Sequence, residues 1–271
     1  MTISEPAPAK LNLALHVRGK LPDGRHVIET LFAFCTDGDT LSGESFEGTM
    51  LSVTGPMAGQ LDPNEENIVS RAAWLLSEKR GHDFLDGGAL LTLDKRLPVA
   101  SGIGGGSADA GAALRLLTRL WKMDPDHAVA VAPRLGSDVP ACLLSMTARG
   151  DGAGDELVLV DDLTISGTPV LLVNPLVPLS TAAVFARWDG VDRGPLDAWR
   201  EGRNDLEAPA HALVPAIGNI LDWLALQPGA NFIRMSGSGA TCFALFDDEE
   251  ARDAAAAACP DQWWRLASFL R

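Results

Sequence analysis

Apolar and polar residues alternate over Lys10-Leu11-Asn12-Leu13-Ala14-Leu15-His16-Val17-Arg18, with Leu11, Leu13, Leu15 and Val17 on one face and Lys10, Asn12 and His16 on the other. A period of two predicts an extended strand. Asp23-Gly24 reads as a turn and 27–34 as the returning strand. Leu51-Ser52-Val53 and Leu90-Leu91-Thr92-Leu93 are further short extended runs. The period becomes helical over 67–81 (Ile68, Ala72, Leu75, Leu76) and again after residue 107, where Ala110, Ala113, Leu114, Leu117 and Trp121 share a face. Residues 127–135 and 141–145 read as short helices. A stretch rich in Gly and Asp at 150–165 follows; beyond it the pattern predicts strands at 170–174, 231–235, 241–246 and 264–269, with helices at 210–226 and 249–258. Strands and helices mingle without strict alternation. That predicts an α+β fold with mostly antiparallel sheets in two domains, 1–160 and 161–271.

Between the extended run at 90–93 and the helix, the chain reads Pro98-Val99-Ala100-Ser101-Gly102-Ile103-Gly104-Gly105-Gly106-Ser107-Ala108-Asp109. Glycine lets backbone approach a ligand closely. The helix start, placed at Ser107, offers unpaired N–H groups and the positive end of a dipole. A glycine-rich loop feeding a helix N-terminus is a cradle for phosphate; the plainer alternative is a surface turn before a core helix. No Gly-x4-Gly-Lys-Ser/Thr occurs. Gly102-x-Gly104-x-x-Ser107 lacks the third glycine of a dinucleotide fingerprint. A second glycine loop, Met235-Ser236-Gly237-Ser238-Gly239-Ala240, lies between two expected strands. A plain hairpin would look the same; together with the first loop it predicts one wall of a ligand site where the domains meet.

Composition narrows the classes of partner. The chain has 36 acidic against 22 basic residues, a net charge of −14, which disfavours nucleic acid and anionic membrane surfaces. Any polyanion must then be met by bases placed locally, which draws notice to Lys95 and Arg96 just before the first loop. Cys35, Cys142, Cys242 and Cys259 are far apart and in apolar surroundings, as expected of buried thiols in a reducing cytoplasm. No apolar run is long enough to span a membrane, and a cytoplasmic protein is expected. His16, His82, His127 and His211 share no spacing and HExxH is absent, so no zinc site is expected. His82 and His127 read as solvent-facing or capping residues.

Two residues suit phosphate chemistry. Lys10 is either an ordinary strand-surface lysine or a functional cation. Asp138, in Gly136-Ser137-Asp138-Val139-Pro140, is either a helix cap or a functional carboxylate. Phosphoryl transfer to an alcohol needs both kinds of group: a carboxylate orients the hydroxyl and takes its proton, and an ammonium offsets charge on the transferring group.

Pro98 to Asp109 resembles the second motif of the galactokinase, homoserine kinase, mevalonate kinase and phosphomevalonate kinase family, and Met235 to Ala240 resembles its third. Ala9-Lys10-Leu11-Asn12-Leu13, Asp23-Gly24-Arg25-His26, Gly136 to Pro140 and Gly202-Arg203-Asn204-Asp205-Leu206-Glu207 resemble the branch acting on a cytidine-diphosphate-linked alcohol. The resemblance implies a two-domain fold with the active site between the domains, ATP as phosphoryl donor with Mg²⁺, and transfer to the C2 hydroxyl of a methylerythritol unit in isoprenoid precursor synthesis. It implies that Lys10 and Asp138 are the catalytic pair. It assigns Pro98, Val99, Ala100, Ser101, Gly102, Ile103, Gly104, Gly105, Gly106, Ser107 and Ala108 to the ATP loop, with Ser107 the candidate for a phosphate or metal contact. Asn12 matches a substrate contact beside the pair, His26 the residue that reads the cytosine edge, and Phe185 an aromatic that packs on the base. The family carries Tyr, stacked on cytosine, where this chain has Arg25; a guanidinium also stacks on a base. The alternatives are a homoserine- or mevalonate-type kinase of the same family and a nucleotide-binding protein without turnover.

Overall fold

The computed structural model describes residues 1–80, 87–160 and 165–271; His82, Asp161, Asp162 and the last residue of the helix expected at 67–81 lie outside the described residues. The chain packs as two compact units. One holds Met1–Ala9, Asp37–Val99 and Gly104–Ser145, the other Lys10–Thr36, Ala100–Ile103 and Met146–Arg271.

The first two strands, β1 (Ile3–Lys20) and β2 (His26–Phe46), pair with each other and run well past the alternating segments that predicted them. β2 continues straight through Asp37-Gly38-Asp39, a sequence more typical of a turn. At Gly38 an added Cβ would lie 2.2 Å from the Ala7 carbonyl oxygen, so glycine serves close strand approach there. The expected polar face of β1 is not solvated: Lys10, Asn12 and His16 are only 3%, 2% and 2% exposed. The strand-surface reading of Lys10 therefore fails.

In the first unit, residues 40–46 of β2 pair antiparallel with β4 (Gly88–Asp94), which pairs parallel with β3 (Met50–Thr54). The other strand pairs whose register is described are antiparallel, as expected, apart from an isolated parallel bridge between Leu15 and Asn204. Helices α1 (Ile68–Ser77), α2 (Gly105–Leu120), α3 (Pro125–Leu135) and α4 (Val139–Leu144) complete the unit. Asn67 caps α1 and Asp124 caps α3, each accepting a backbone N–H two residues on. The expected face of α2 is buried at Ala110, Ala113, Leu114 and Leu117, but Asp109, Gly111, Ala112 and Leu116 are buried too. The helix is thus enclosed on most sides. Its small residues permit this: a Cβ at Gly111 would lie 2.7 Å from the Cys142 carbonyl carbon, so α2 and α4 touch backbone to backbone.

In the second unit, residues 30–32 of β2 pair with β5 (Ala148–Asp151), and β5 pairs with β6 (Glu156–Leu159). The Gly- and Asp-rich residues at 152–155 connect that hairpin. A second sheet has the order β10 (Trp264–Phe269), β7 (Pro169–Asn174), β9 (Cys242–Phe246), β8 (Ala230–Met235). Helices α5 (Thr181–Phe185), α6 (Glu207–Leu213), α7 (Ala216–Ala225) and α8 (Glu249–Ala258) flank it. Leu171, Val173, Leu206, Ile217, Ile220 and Phe246 belong to its core. The single helix expected at 210–226 is broken in two. Val214, at φ −131° and ψ 88°, leaves the helical region because it precedes Pro215. All four cysteines are buried, and none of them forms a disulfide.

Inside a helix, Gly→Ala ordinarily stabilises by about 1 kcal/mol. At Gly111 the added methyl meets the α4 backbone, so Gly111→Ala is expected to destabilise by about 1–3 kcal/mol, read as a lower midpoint in urea denaturation. A raised midpoint would disprove that backbone contact.

Candidate active site

In the second unit the two glycine loops lie against each other. Gly102 has φ 79°, and a Cβ there would sit 2.5 Å from the Ser236 carbonyl oxygen and 2.6 Å from that of Gly239. Gly237 has φ 55°, and its Cβ would sit 2.8 Å from the Gly102 carbonyl oxygen. The Ser236 hydroxyl donates to the Gly102 carbonyl (3.1 Å) and Thr241 N–H to the Ser101 carbonyl (3.0 Å). The second loop does connect an antiparallel hairpin, closed by Met235 opposite Cys242. The hairpin reading and the wall-building reading are compatible in this unit.

Lys10 and Asn12 join this assembly. Lys10 N–H donates to the Ile103 carbonyl (2.9 Å), and Lys10 Nζ donates to Asn12 Oδ1 (2.8 Å). Asn12 Nδ2 donates to Thr30 Oγ1 (2.8 Å), which donates on to the Ala14 carbonyl (2.6 Å). Asn12 N–H donates to Ser236 Oγ (3.1 Å), so β1 and both glycine loops share one buried network. The Lys10 ammonium lies 5.3 Å from the Phe32 ring centroid.

The block from Arg203 to Glu207 pins this network in place. Asn204 Nδ2 donates to the carbonyls of Met235 and Gly237, both at 2.8 Å, and Glu207 Oε2 accepts from Met235 N–H (3.2 Å). Asp205 Oδ2 accepts from Val17 N–H (2.8 Å). His16 Nε2 accepts from Arg203 N–H (3.2 Å), so the ring is neutral there and its Nδ1–H points to the Gly194 carbonyl (3.1 Å). Burial accordingly lowers the His16 pKa below the usual value. Thr30, Ser236 and Asn204 were not singled out as site groups from the sequence. Isolated polar residues carry no periodic signal, although Ser236 and Asn204 lie in stretches that do resemble the family.

His26, at the start of β2, stacks on Phe185 of α5 (centroids 4.5 Å apart, planes at 27°) and meets Trp188 edge-on at 5.6 Å. Its Nε2 is buried with no hydrogen-bond partner. Burial, then the charge of Lys20, lowers its pKa, which keeps the ring neutral. Arg25 is half exposed; its Nε pairs with Asp23 Oδ2 (2.8 Å) and its Nη1 with Asp155 Oδ2 (3.5 Å). The hydrogen bond that it donates to Asp23 raises its pKa further.

In the first unit, α2 starts at Gly105, two residues before Ser107, because Gly104 adopts the left-handed conformation (φ 65°, ψ 24°) and turns the chain into the helix. The first intrahelical bond at this end runs from Ala108 N–H to the Gly104 carbonyl (2.7 Å). The N–H groups of Gly105, Gly106 and Ser107 thus precede the helical ladder. Ala100, Gly102 and Gly104 all have positive φ (50°, 79° and 65°). Left-handed residues at every second position are the backbone pattern of anion-binding concavities.

Asp138 stands at the N-cap of α4, yet its side chain makes no cap hydrogen bond. The capping reading therefore does not account for this carboxylate. α4 is held against α2 through Gly111 and through Arg115, whose Nη1 donates to the carbonyls of Cys142 (2.7 Å) and Leu143 (3.1 Å). Lys95 is buried between Asp39 and Asp109, while Arg96 is exposed and paired with Asp94. Burial, reinforced by Asp39 and opposed by Lys95, pushes the Asp109 carboxyl up to about 8. Among the described residues, no cluster of His, Cys, Asp and Glu is placed to hold a metal, and no helix is long and apolar enough to cross a membrane.

The chain matches the GHMP kinases N terminal domain over residues 67–146 and the GHMP kinases C terminal model over 190–264. It belongs to the GHMP kinase family. A relative from Novosphingobium aromaticivorans, 4-diphosphocytidyl-2-C-methyl-D-erythritol kinase, is 50% identical over 278 residues, covering 100% of this chain and 94% of the relative. A protein of the same name from Rhizorhabdus wittichii is 51% identical over 283 residues, covering 99% and 94%. A crystal structure of 4-(cytidine 5'-diphospho)-2C-methyl-D-erythritol kinase superposes with a TM-score of 0.84 at 32% identity, covering 99% of each chain.

Because His16 binds as the neutral ring, its contribution to stability is full above the unfolded pKa of about 6.5 and is lost as pH falls from there through the lower folded pKa. His16→Gln is expected to lose less stability than the unsubstituted chain between about pH 7 and pH 5, read from urea midpoints. Parallel losses would show that His16 is not bound neutral.

Proposed function

We propose that this chain transfers the γ-phosphoryl group of ATP to the C2 hydroxyl of 4-diphosphocytidyl-2-C-methyl-D-erythritol, as a cytoplasmic enzyme of isoprenoid precursor synthesis. Relatives of that name at half identity over the whole length support it. The observation that carries the choice of acceptor is the neutral His26 ring, stacked on Phe185 and keeping a buried Nε2 open. A pyrimidine is recognised by such a ring: the stacked aromatics favour a flat base, and the open nitrogen pairs with its edge. Homoserine and mevalonate offer no base to fill it. Arg25 shares its charge with Asp23 and Asp155, so its part is to stack at the base rather than to draw in the diphosphate.

The loop of residues 98–108 receives the ATP phosphates through its backbone N–H groups. Mg²⁺ brought by the nucleotide would be met by the hydroxyl of Ser107, in the first turn of α2, and would offset the charge of the phosphates. Asp138 orients the acceptor hydroxyl in line and takes its proton late, since an alcohol becomes acidic only as its bond to phosphorus forms. The new O–P bond forms as the bond from the γ-phosphorus to the β–γ bridging oxygen breaks, the proton passes to Asp138, and ADP leaves. Lys10, fixed by Asn12 and the Ile103 carbonyl, offsets charge on the transferring group. Asn12, placed beside Lys10, contacts the acceptor. ATP binding and catalysis fall chiefly to residues 1–160, with Phe185 of 161–271 joining Asn12, Arg25 and His26 on the acceptor side; the two family matches lie on either side of that boundary.

Measuring ADP release with the cytidine-linked alcohol, its uridine analogue, homoserine and mevalonate tests the reading. Turnover is expected with the cytidine-linked alcohol; comparable turnover of homoserine or mevalonate overturns it. Lys10→Ala and Asp138→Ala are each expected to lower kcat by about 100- to 10,000-fold while an ATP analogue still binds. Near-normal turnover in either variant removes that residue from the catalytic pair.

A further inference from the structure

The glycine loop cannot hold its own shape, because glycine restricts its torsions least of all residues. Its middle is held by hydrogen bonds with the second glycine hairpin, and its two flanks are held separately. In the first unit a single buried cluster reaches both. Lys95, directly after β4, donates from Nζ to Asp39 Oδ2 (2.5 Å) and to Asp109 Oδ2 (2.7 Å). The three side chains are 2%, 0% and 3% exposed. Asp39, on β2, uses its other oxygen to accept the N–H groups of Arg96 (2.5 Å) and Leu97 (2.8 Å), the two residues before Pro98. Asp109 lies in the second turn of α2, just beyond the loop. One ammonium therefore ties the strand that supports the entry of the loop to the helix that receives its exit.

The Lys95 backbone is anchored independently. Its N–H donates to the Thr54 carbonyl (2.8 Å) and its carbonyl accepts from Met57 N–H (3.0 Å). The ammonium also lies under the first residue of α2: a Cβ at Gly105 would come within 3.1 Å of Lys95 Nζ. Glycine at 105 thus leaves room for the lysine head. A buried charged cluster is seldom the most stabilising way to fill a core; its better-attested use is to fix one geometry among several.

We infer that Asp39, Lys95 and Asp109 form a positioning cluster for the phosphate loop, setting the distance between its flanks so that its backbone amides meet the nucleotide phosphates. The inference rests on the phosphoryl-transfer reading above. The three residues act through the loop and touch no substrate, so their loss is felt in nucleotide affinity and hardly in the chemical step.

Asp109→Leu removes the helix-side acceptor. At a temperature well below its melting point it is expected to raise KM for ATP about tenfold or more, with kcat and acceptor KM within about threefold of the unsubstituted enzyme. Asp109→Asn keeps an oxygen for Lys95, and its amide group replaces an oxygen that has no partner. It is expected to restore KM for ATP to within about threefold. A purely structural cluster would lower the melting temperature without this split. Direct titration with a non-hydrolysable ATP analogue separates the two readings. If the unsubstituted protein does not bind it, the kinase reading falls and takes the inference with it. If Asp109→Leu binds it as tightly as the unsubstituted protein, or Asp109→Asn is as impaired as Asp109→Leu, the inference alone is overturned. Should Asp109→Leu not fold, Asp39→Asn decides. Its one remaining oxygen cannot serve both Lys95 and the two backbone N–H groups, so analogue affinity must fall, and unchanged affinity overturns the inference.

Discussion

Backbone lies on backbone where residues 101–103 meet residues 236–239, and this contact has no room for a side chain. A Cβ at Gly102 would come within 2.7 Å of three backbone atoms of the facing loop, and one at Gly237 would meet the Gly102 carbonyl. The positive φ of both residues would strain any L side chain. Two segments more than a hundred residues apart in sequence are thereby brought together, and the Lys10 amide hydrogen-bonds to the same short loop. The position of Lys10 follows from that contact.

Polar groups are buried densely around it, and each carries its own constraint. Lys10, Asn12, Thr30 and Ser236 are nearly inaccessible to water, so each must find partners within the protein. They find one another. The Asn204 amide closes the arrangement by donating to two carbonyls of the second loop. A buried network of this kind is costly when half made, which is why its members determine one geometry rather than a family of them.

The first unit solves a different problem with the same economy of side chains. α2 presents small residues where α4 crosses it, so Asp138, at the start of α4, is positioned by backbone contact and by Arg115. Nearer the loop, a lysine between two aspartates replaces apolar packing. The Asp138 side chain makes no cap hydrogen bond; strong capping by side chains is found instead at α1 and α3.

Local features were legible in the sequence where they depend on short-range physics. Alternation over 10–18 marked a strand, the 3.6-residue period marked α2, and the glycine run marked a place where backbone and ligand approach. The motifs that resemble the kinase family were readable for the same reason, since each is contiguous. What the chain's order could not display was decided by tertiary contact. The apparent polar face of β1 is buried because other chain segments cover it. β2 runs through Asp37-Gly38-Asp39 because pairing with β1 and β4 outweighs a local turn preference. The glycine before Gly105 moved the helix start ahead of Ser107, because backbone conformation, not the nearest capping side chain, decided where α2 begins. Pairings such as Lys95 with Asp39 and Asp109, or Asn204 with the second glycine loop, join residues that no periodicity relates. Sequence alone determined which groups were available and which elements would carry them; only the folded chain, by excluding water and closing distances, decided which of them act on one another.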